Sequence, residues 1–188
     1  VFLPIIGLIV GGIGAAVFHF SFLVFPKSVS VILSMITTVF ITGAIHEDGF
    51  ADTCDALGGG WSIEEKLKIL KDSRIGFFGL IGTILLFILK FSLFIELPDE
   101  NICYGIIAVH VLSRLTPVYL IYLLKYVRKD ESSKIKSIAK GISFWMLLAA
   151  TLSTIIIIFL LNVSYLAVFI LYPILIIFFS LYFKGQLG

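Results

Sequence analysis

The stretch HEDGFADTCD, residues 46–55, places Glu47, Asp48, Asp52 and Asp55 at the end of a long apolar run. On a helix turning ~100° per residue, Asp48, Asp52 and Asp55 share an arc of about 60°, with Glu47 flanking it at about 100°. Like charges one turn apart repel, weakly in water and more strongly beside lipid, so the stripe makes sense only with a counter-charge. A hard divalent cation suits it. Mg²⁺ takes a few carboxylates and completes its shell with water and phosphate oxygens. Asp72 is expected on the short helix that the turn at Gly58, Gly59 and Gly60 can fold back beside the stripe, which makes it a fifth candidate ligand. Lys71 and Arg74 beside it are candidate phosphate contacts, or equally well anchors at a membrane surface. Gly58 to Gly60, followed by a helix start at Ser62, could present backbone N–H groups to an anion. The bland alternative, a solvated helix end, accounts for one or two carboxylates better than for four in nine residues. Neither the spacing of an EF-hand loop nor the Gly-Lys-Ser/Thr of a P-loop is present.

The elements that position these groups belong to a membrane protein. Of 188 residues, 60% are hydrophobic and 14% charged, and the mean hydropathy is +1.13. A net charge of +2 argues against a nucleic-acid partner. The fold class expected is all-α, a polytopic helical membrane protein. Six apolar segments, at about 2–25, 29–57, 75–97, 102–125, 141–161 and 164–184, each suffice for the ~30 Å hydrocarbon core. The second is expected to run as one helix through the acidic stretch until the glycines stop it. Ser62 and Glu65 then have the spacing of a capping box, opening a short helix that lies on the interface. The chain is read as a single integral membrane domain over 1–188, truncated at both ends relative to the family named below, with the first apolar segment a span rather than a signal peptide.

Orientation follows from the basic residues. Lys66, Lys68, Lys71 and Arg74 occupy one connection, Lys125, Arg128, Lys129, Lys134, Lys136 and Lys140 another, and Lys184 follows the last span, all on one side. The opposite connections hold Lys27, the acidic ELPDEN at 96–101 and the turn NVS at 162–164. The positive-inside rule therefore puts the acidic motif and both termini in the cytoplasm of a multi-pass cell-membrane protein. Within the fourth span, Arg114 is costly in lipid, and with His110 one turn away it is a candidate phosphate contact, or half of a buried ion pair. His46 points away from the stripe. Lys90 snorkels, and Cys54 and Cys103 have neither disulfide nor metal spacing.

HEDGFADTCDALGGGW, followed by KILKDSRIGFFG, resembles the signature of the cobalamin synthase (adenosylcobinamide-GDP ribazoletransferase) family, and the likeness extends from FLPIIGLIVGG to the end of the chain. The resemblance implies an Mg²⁺-dependent transferase that joins adenosylcobinamide phosphate, from adenosylcobinamide-GDP, to α-ribazole or its 5′-phosphate and releases GMP. On that basis Glu47, Asp48, Asp52, Asp55 and Asp72 supply the metal site. One carboxylate not fully used by metal, Asp72 first and Asp55 with it, accepts the hydroxyl proton. Gly58, Gly59, Gly60, Lys71, Arg74 and Arg114 are the substrate-contact candidates. The partners implied are these two substrates and the lipid bilayer, with homo-oligomerisation left open. A CDP-alcohol phosphotransferase of phospholipid synthesis is the alternative, although the D-x-x-x-D-x-x-D spacing differs from that family's. A cation transporter fits less well, because no acidic residue lies deep in a span.

Overall fold

The computed structural model describes residues 2–124, 142–161 and 163–187. The basic residues 125–140 and Asn162, used above for orientation and for the NVS turn, lie outside the described residues. Among the described residues eight α-helices follow one another: α1 Leu3–Phe22, α2 Lys27–Thr42, α3 Ile45–Gly59, α4 Ile63–Ile69, α5 Phe77–Glu96, α6 Asp99–Leu123, α7 Phe144–Leu161 and α8 Val168–Leu187. There is no strand among the described residues. Among the described residues five helices are long and apolar enough to cross a membrane, six spans if α2 and α3 count as one. The protein is therefore an all-α, multi-pass membrane protein.

The expected continuous helix over 29–57 is broken. Gly43 (φ 64°) and Ala44 (φ 55°) are both left-handed, and α3 departs from α2 at 88°. Gly43 N–H donates to Phe40 O at 3.1 Å and Ala44 N–H to Val39 O at 2.9 Å, the paired bonds of a Schellman stop. Gly43 takes this conformation without steric penalty; Ala44 pays for its Cβ. The acidic segment is thus an independent helix aimed by the turn.

The chain divides into two compact units, one of residues 12–105 and one of residues 1–11 with 106–186. In the first, α2 turns Ser30, Ser34 and Thr38 inward, and Ser34 Oγ donates to Gly14 O at 2.8 Å; such small residues let membrane helices approach closely. Lys27 pairs with Asp99 at 2.9 Å and donates to Leu97 O at 2.7 Å, tying together the two connections at the far end of α5 from Gly76. A helix of 20 residues spans about 30 Å, so the ion pair and the Gly76 end of α5 lie a membrane thickness apart.

In the second unit, Gly7 and Gly11 lie against α6, where a Cβ on either would come within 2.8 Å of Val111 Cα or Ile107 Cα respectively. Leu115, Val118, Ala150, Tyr172 and Ile176 form the core among α6, α7 and α8. Hydroxyl pairs Thr116–Tyr172 and Tyr119–Thr151, each 3.0 Å, satisfy the polar groups placed there.

Candidate active site

The site is assembled where α3, α4 and α5 meet. Ser62 Oγ accepts from Glu65 N–H at 3.2 Å, while Glu65 Oε2 accepts from Ser62 N–H at 3.2 Å and from Trp61 N–H at 2.9 Å, so α4 starts on the capping box read from the sequence. The chain then turns back through residues 70–76 to start α5 beside α3.

Asp55 makes this joint. It is 8% exposed, and its carboxylate accepts Gly76 N–H at 2.7 Å and Gly79 N–H at 2.8 Å. Gly76 is the N-cap of α5 and Gly79 stands three residues on, the two places where a capping box would carry side chains. Both are bare, and one carboxylate from α3 supplies both acceptors, favoured also by the positive end of the helix dipole. A Cβ at Gly76 would come within 2.8 Å of Asp55 Cγ, and one at Gly79 within 2.8 Å of Ala51 O. Gly82 continues the stripe against Cys54 Sγ at 2.7 Å from its would-be Cβ. Sequence reasoning missed this Gly76, Gly79, Gly82 face; its three-residue spacing was the available signal.

Asp72 is held by Arg74. Nε donates to Oδ1 at 3.0 Å and Nη2 to Oδ2 at 2.7 Å, and Arg74 N–H also reaches Oδ1 at 3.1 Å. Hydrogen bonds from the guanidinium, then that backbone bond, hold the Asp72 carboxyl down at about 2, and the Arg74 guanidinium is pushed up in turn. A group so weakly basic is a poor proton acceptor near neutrality, which corrects the expectation of Asp72 as the base in this arrangement. Asp55, Gly59, Asp72, Arg74 and Gly76 line one cleft of about 560 Å³. The structure brings Asp72 to the same cleft as Asp55, but from the turn after α4 and not from the short helix on which it was expected.

The glycine turn does something other than expected. Gly58 and Gly59 are still helical, Gly60 N–H is taken by Ala56 O at 3.1 Å, and Gly58 lies on the Phe78 ring, where a Cβ would come within 2.5 Å. With the α4 N-terminus closed by its own box, no open N–H cradle is formed there, and these glycines terminate α3 and let it pack. Lys71 is exposed and does not line the cleft. Arg114, in the other unit, is 4% exposed, with Nη1 at 3.2 Å from His110 Nδ1, 3.1 Å from His110 O and 3.2 Å from Ser113 Oγ.

The metal expectation narrows. Among the described residues no three His, Cys, Asp or Glu side chains come together as one ligand set. Both Asp55 oxygens already accept backbone N–H groups and both Asp72 oxygens accept from Arg74, and the five expected carboxylates do not gather into one cage. Asp48, exposed, and Asp52, partly buried, stand one turn apart on α3, and Glu47 Oε2 is buried with no hydrogen-bond partner among the described residues. Two neighbouring carboxylates suit an ion that draws its remaining ligands from water and phosphate.

The chain is thus a multi-pass helical membrane protein with two carboxylates and an arginine fork lining one cleft. The chain belongs to the cobalamin-5-phosphate synthase family, whose pattern matches residues 1–188. It is 47% identical over 140 residues to the adenosylcobinamide-GDP ribazoletransferase of Shewanella woodyi, covering 73% of this chain and 54% of that one. With the protein of the same name from Shewanella frigidimarina it shares 44% over 140 residues, 72% of this chain and 53% of that one. The chain thus spans about half the length of the curated relatives it matches. No solved structure matches it significantly.

Proposed function

We propose that the protein is an Mg²⁺-dependent transferase of cobalamin synthesis. It would take adenosylcobinamide phosphate from adenosylcobinamide-GDP, join it to α-ribazole or α-ribazole 5′-phosphate, and release GMP. Family membership supports the reaction class. The observation that carries it on the structural side is the single cleft on which Asp55, Asp72 and Arg74 converge at the Gly76 end of α5.

Cleaving a pyrophosphate builds negative charge on the departing phosphate, and catalysis is mainly positioning and neutralisation. Mg²⁺ on Asp48 and Asp52 would supply a positive charge between protein and phosphate oxygens. Arg74 presents two N–H groups in a planar fork that matches a phosphate. Asp55 acts through position: by capping α5 it holds the stripe of α3 at a fixed distance from the segment that carries Arg74. The proton of the attacking hydroxyl would fall to a carboxylate of this site, Asp48, Asp52 or an Asp72 released from Arg74. By the positive-inside rule, Lys66, Lys68, Lys71 and Arg74 favour a cytoplasmic placement of this end, where both charged substrates would be accessible. The test is formation of the cobalamin product from the two substrates by the full-length protein in membranes.

A further inference from the structure

We propose that Asp72 is a built-in competitor for the phosphate-binding fork of Arg74, and that an incoming phosphoryl group takes its place. This rests on the reading of the cleft as the pyrophosphate site and adds how that site is kept ordered before substrate arrives.

The geometry is that of a phosphate mimic. Two parallel contacts, Nε to Oδ1 at 3.0 Å and Nη2 to Oδ2 at 2.7 Å, occupy the same two donors that a phosphate would bridge. Both residues line the cleft, and among the described residues lining it Arg74 alone is basic. The other obvious anion receiver, the N-terminus of α5, is closed by Asp55. Exposure decides which pair can exchange. Asp55 is 8% exposed and fixed by two backbone bonds, whereas the Arg74 side chain is 86% exposed and that of Asp72 40%. Solvent-exposed ion pairs are weak, so a more highly charged phosphate can replace the carboxylate at little cost. The Asp72 Oδ1 bond from Arg74 N–H at 3.1 Å keeps the released carboxylate close by, ready to reclaim the fork after the product leaves.

The experiment is equilibrium binding of radiolabelled inorganic pyrophosphate to the full-length protein in lipid nanodiscs, in EDTA so that metal ligation cannot contribute. Wild type, Asp72→Asn, Arg74→Gln and the double variant are compared, with Glu64→Gln on α4 correcting for the loss of a nearby negative charge. Asparagine keeps the acceptor for Arg74 N–H, and Asp72→Ser serves as a second variant should the turn not survive. The expected result is binding tightened about two- to fivefold by Asp72→Asn, beyond any effect of Glu64→Gln. Arg74→Gln should weaken it about tenfold, and Asp72→Asn should give no gain in the Arg74→Gln background. Asp72→Asn that leaves binding unchanged or weaker, or a gain that persists without Arg74, overturns the competition while leaving the cleft as a phosphate site. Absence of saturable binding to every variant overturns the pyrophosphate reading of the cleft and the competition with it.

Discussion

The carboxylate of Asp55 accepts the backbone N–H of Gly79 at 2.8 Å across 24 residues of sequence, and with Gly76 at 2.7 Å it caps a helix to which it does not belong. Gly79 has no side chain to intervene, and Asp55 is buried against the start of α5. The last carboxylate of the stripe thus joins two helices.

Asp55→Ala should destabilise the protein by about 1–3 kcal/mol for the buried Gly79 N–H left without an acceptor, and by less for the more exposed Gly76 N–H. Asp55→Asn should recover only part of this, because one amide oxygen can serve one N–H while the amide NH₂ faces the other. Denaturant unfolding in detergent measures both; an Asp55→Ala protein as stable as wild type would remove the capping role.

Gly82→Val should loosen α3 from α5, since its Cβ would fall 2.7 Å from Cys54 Sγ. Overpacking of this kind costs about 1–3 kcal/mol. Cys54→Ala should relieve part of the loss in the double variant, a non-additivity that unfolding of the four proteins reads directly.

Asp72 should titrate near 2, with Arg74 as the first cause. The folded carboxyl is held below its unfolded value, so the ion pair contributes at pH above the ordinary carboxylate range and is lost as pH falls through about 2. The carboxyl ¹³C shift of labelled Asp72 measures this, and Arg74→Gln should return the midpoint to the usual range.

Sidedness gives a further expectation. A cysteine at Trp61, 94% exposed beside α4, should react with an impermeant thiol reagent only when the cytoplasmic face is open, and a cysteine at Glu100, beside the Lys27–Asp99 pair, only from outside. The reverse pattern would invert the orientation.

What was legible in the sequence was what depends on neighbours along the chain. The capping box of Ser62 and Glu65 and the stop of α3 at Gly59 follow from local hydrogen bonding and the loss of side chains. The same holds for His110 and Arg114, one turn apart on α6. The break at Gly43 and Ala44 was obscured because an apolar pattern continues through it and alanine rarely adopts positive φ. Asp55 as a cap could not be read, because its partners are backbone groups of another helix; from composition alone a buried cap and a metal ligand look alike. Arg74, a near neighbour of Asp72, was seen as a phosphate contact, but its pairing with that carboxylate depends on how the turn folds.

The central claim is tested most directly by supplying adenosylcobinamide-GDP, α-ribazole 5′-phosphate and Mg²⁺ to membranes holding the full-length protein, with Asp52→Asn beside it. The expected result is a cobalamin product that disappears with EDTA and falls at least about a hundredfold with Asp52→Asn, in line with loss of a metal-held phosphoryl clamp. No cobalamin product, with Mg²⁺-dependent release of CMP from a CDP-alcohol instead, would contradict it.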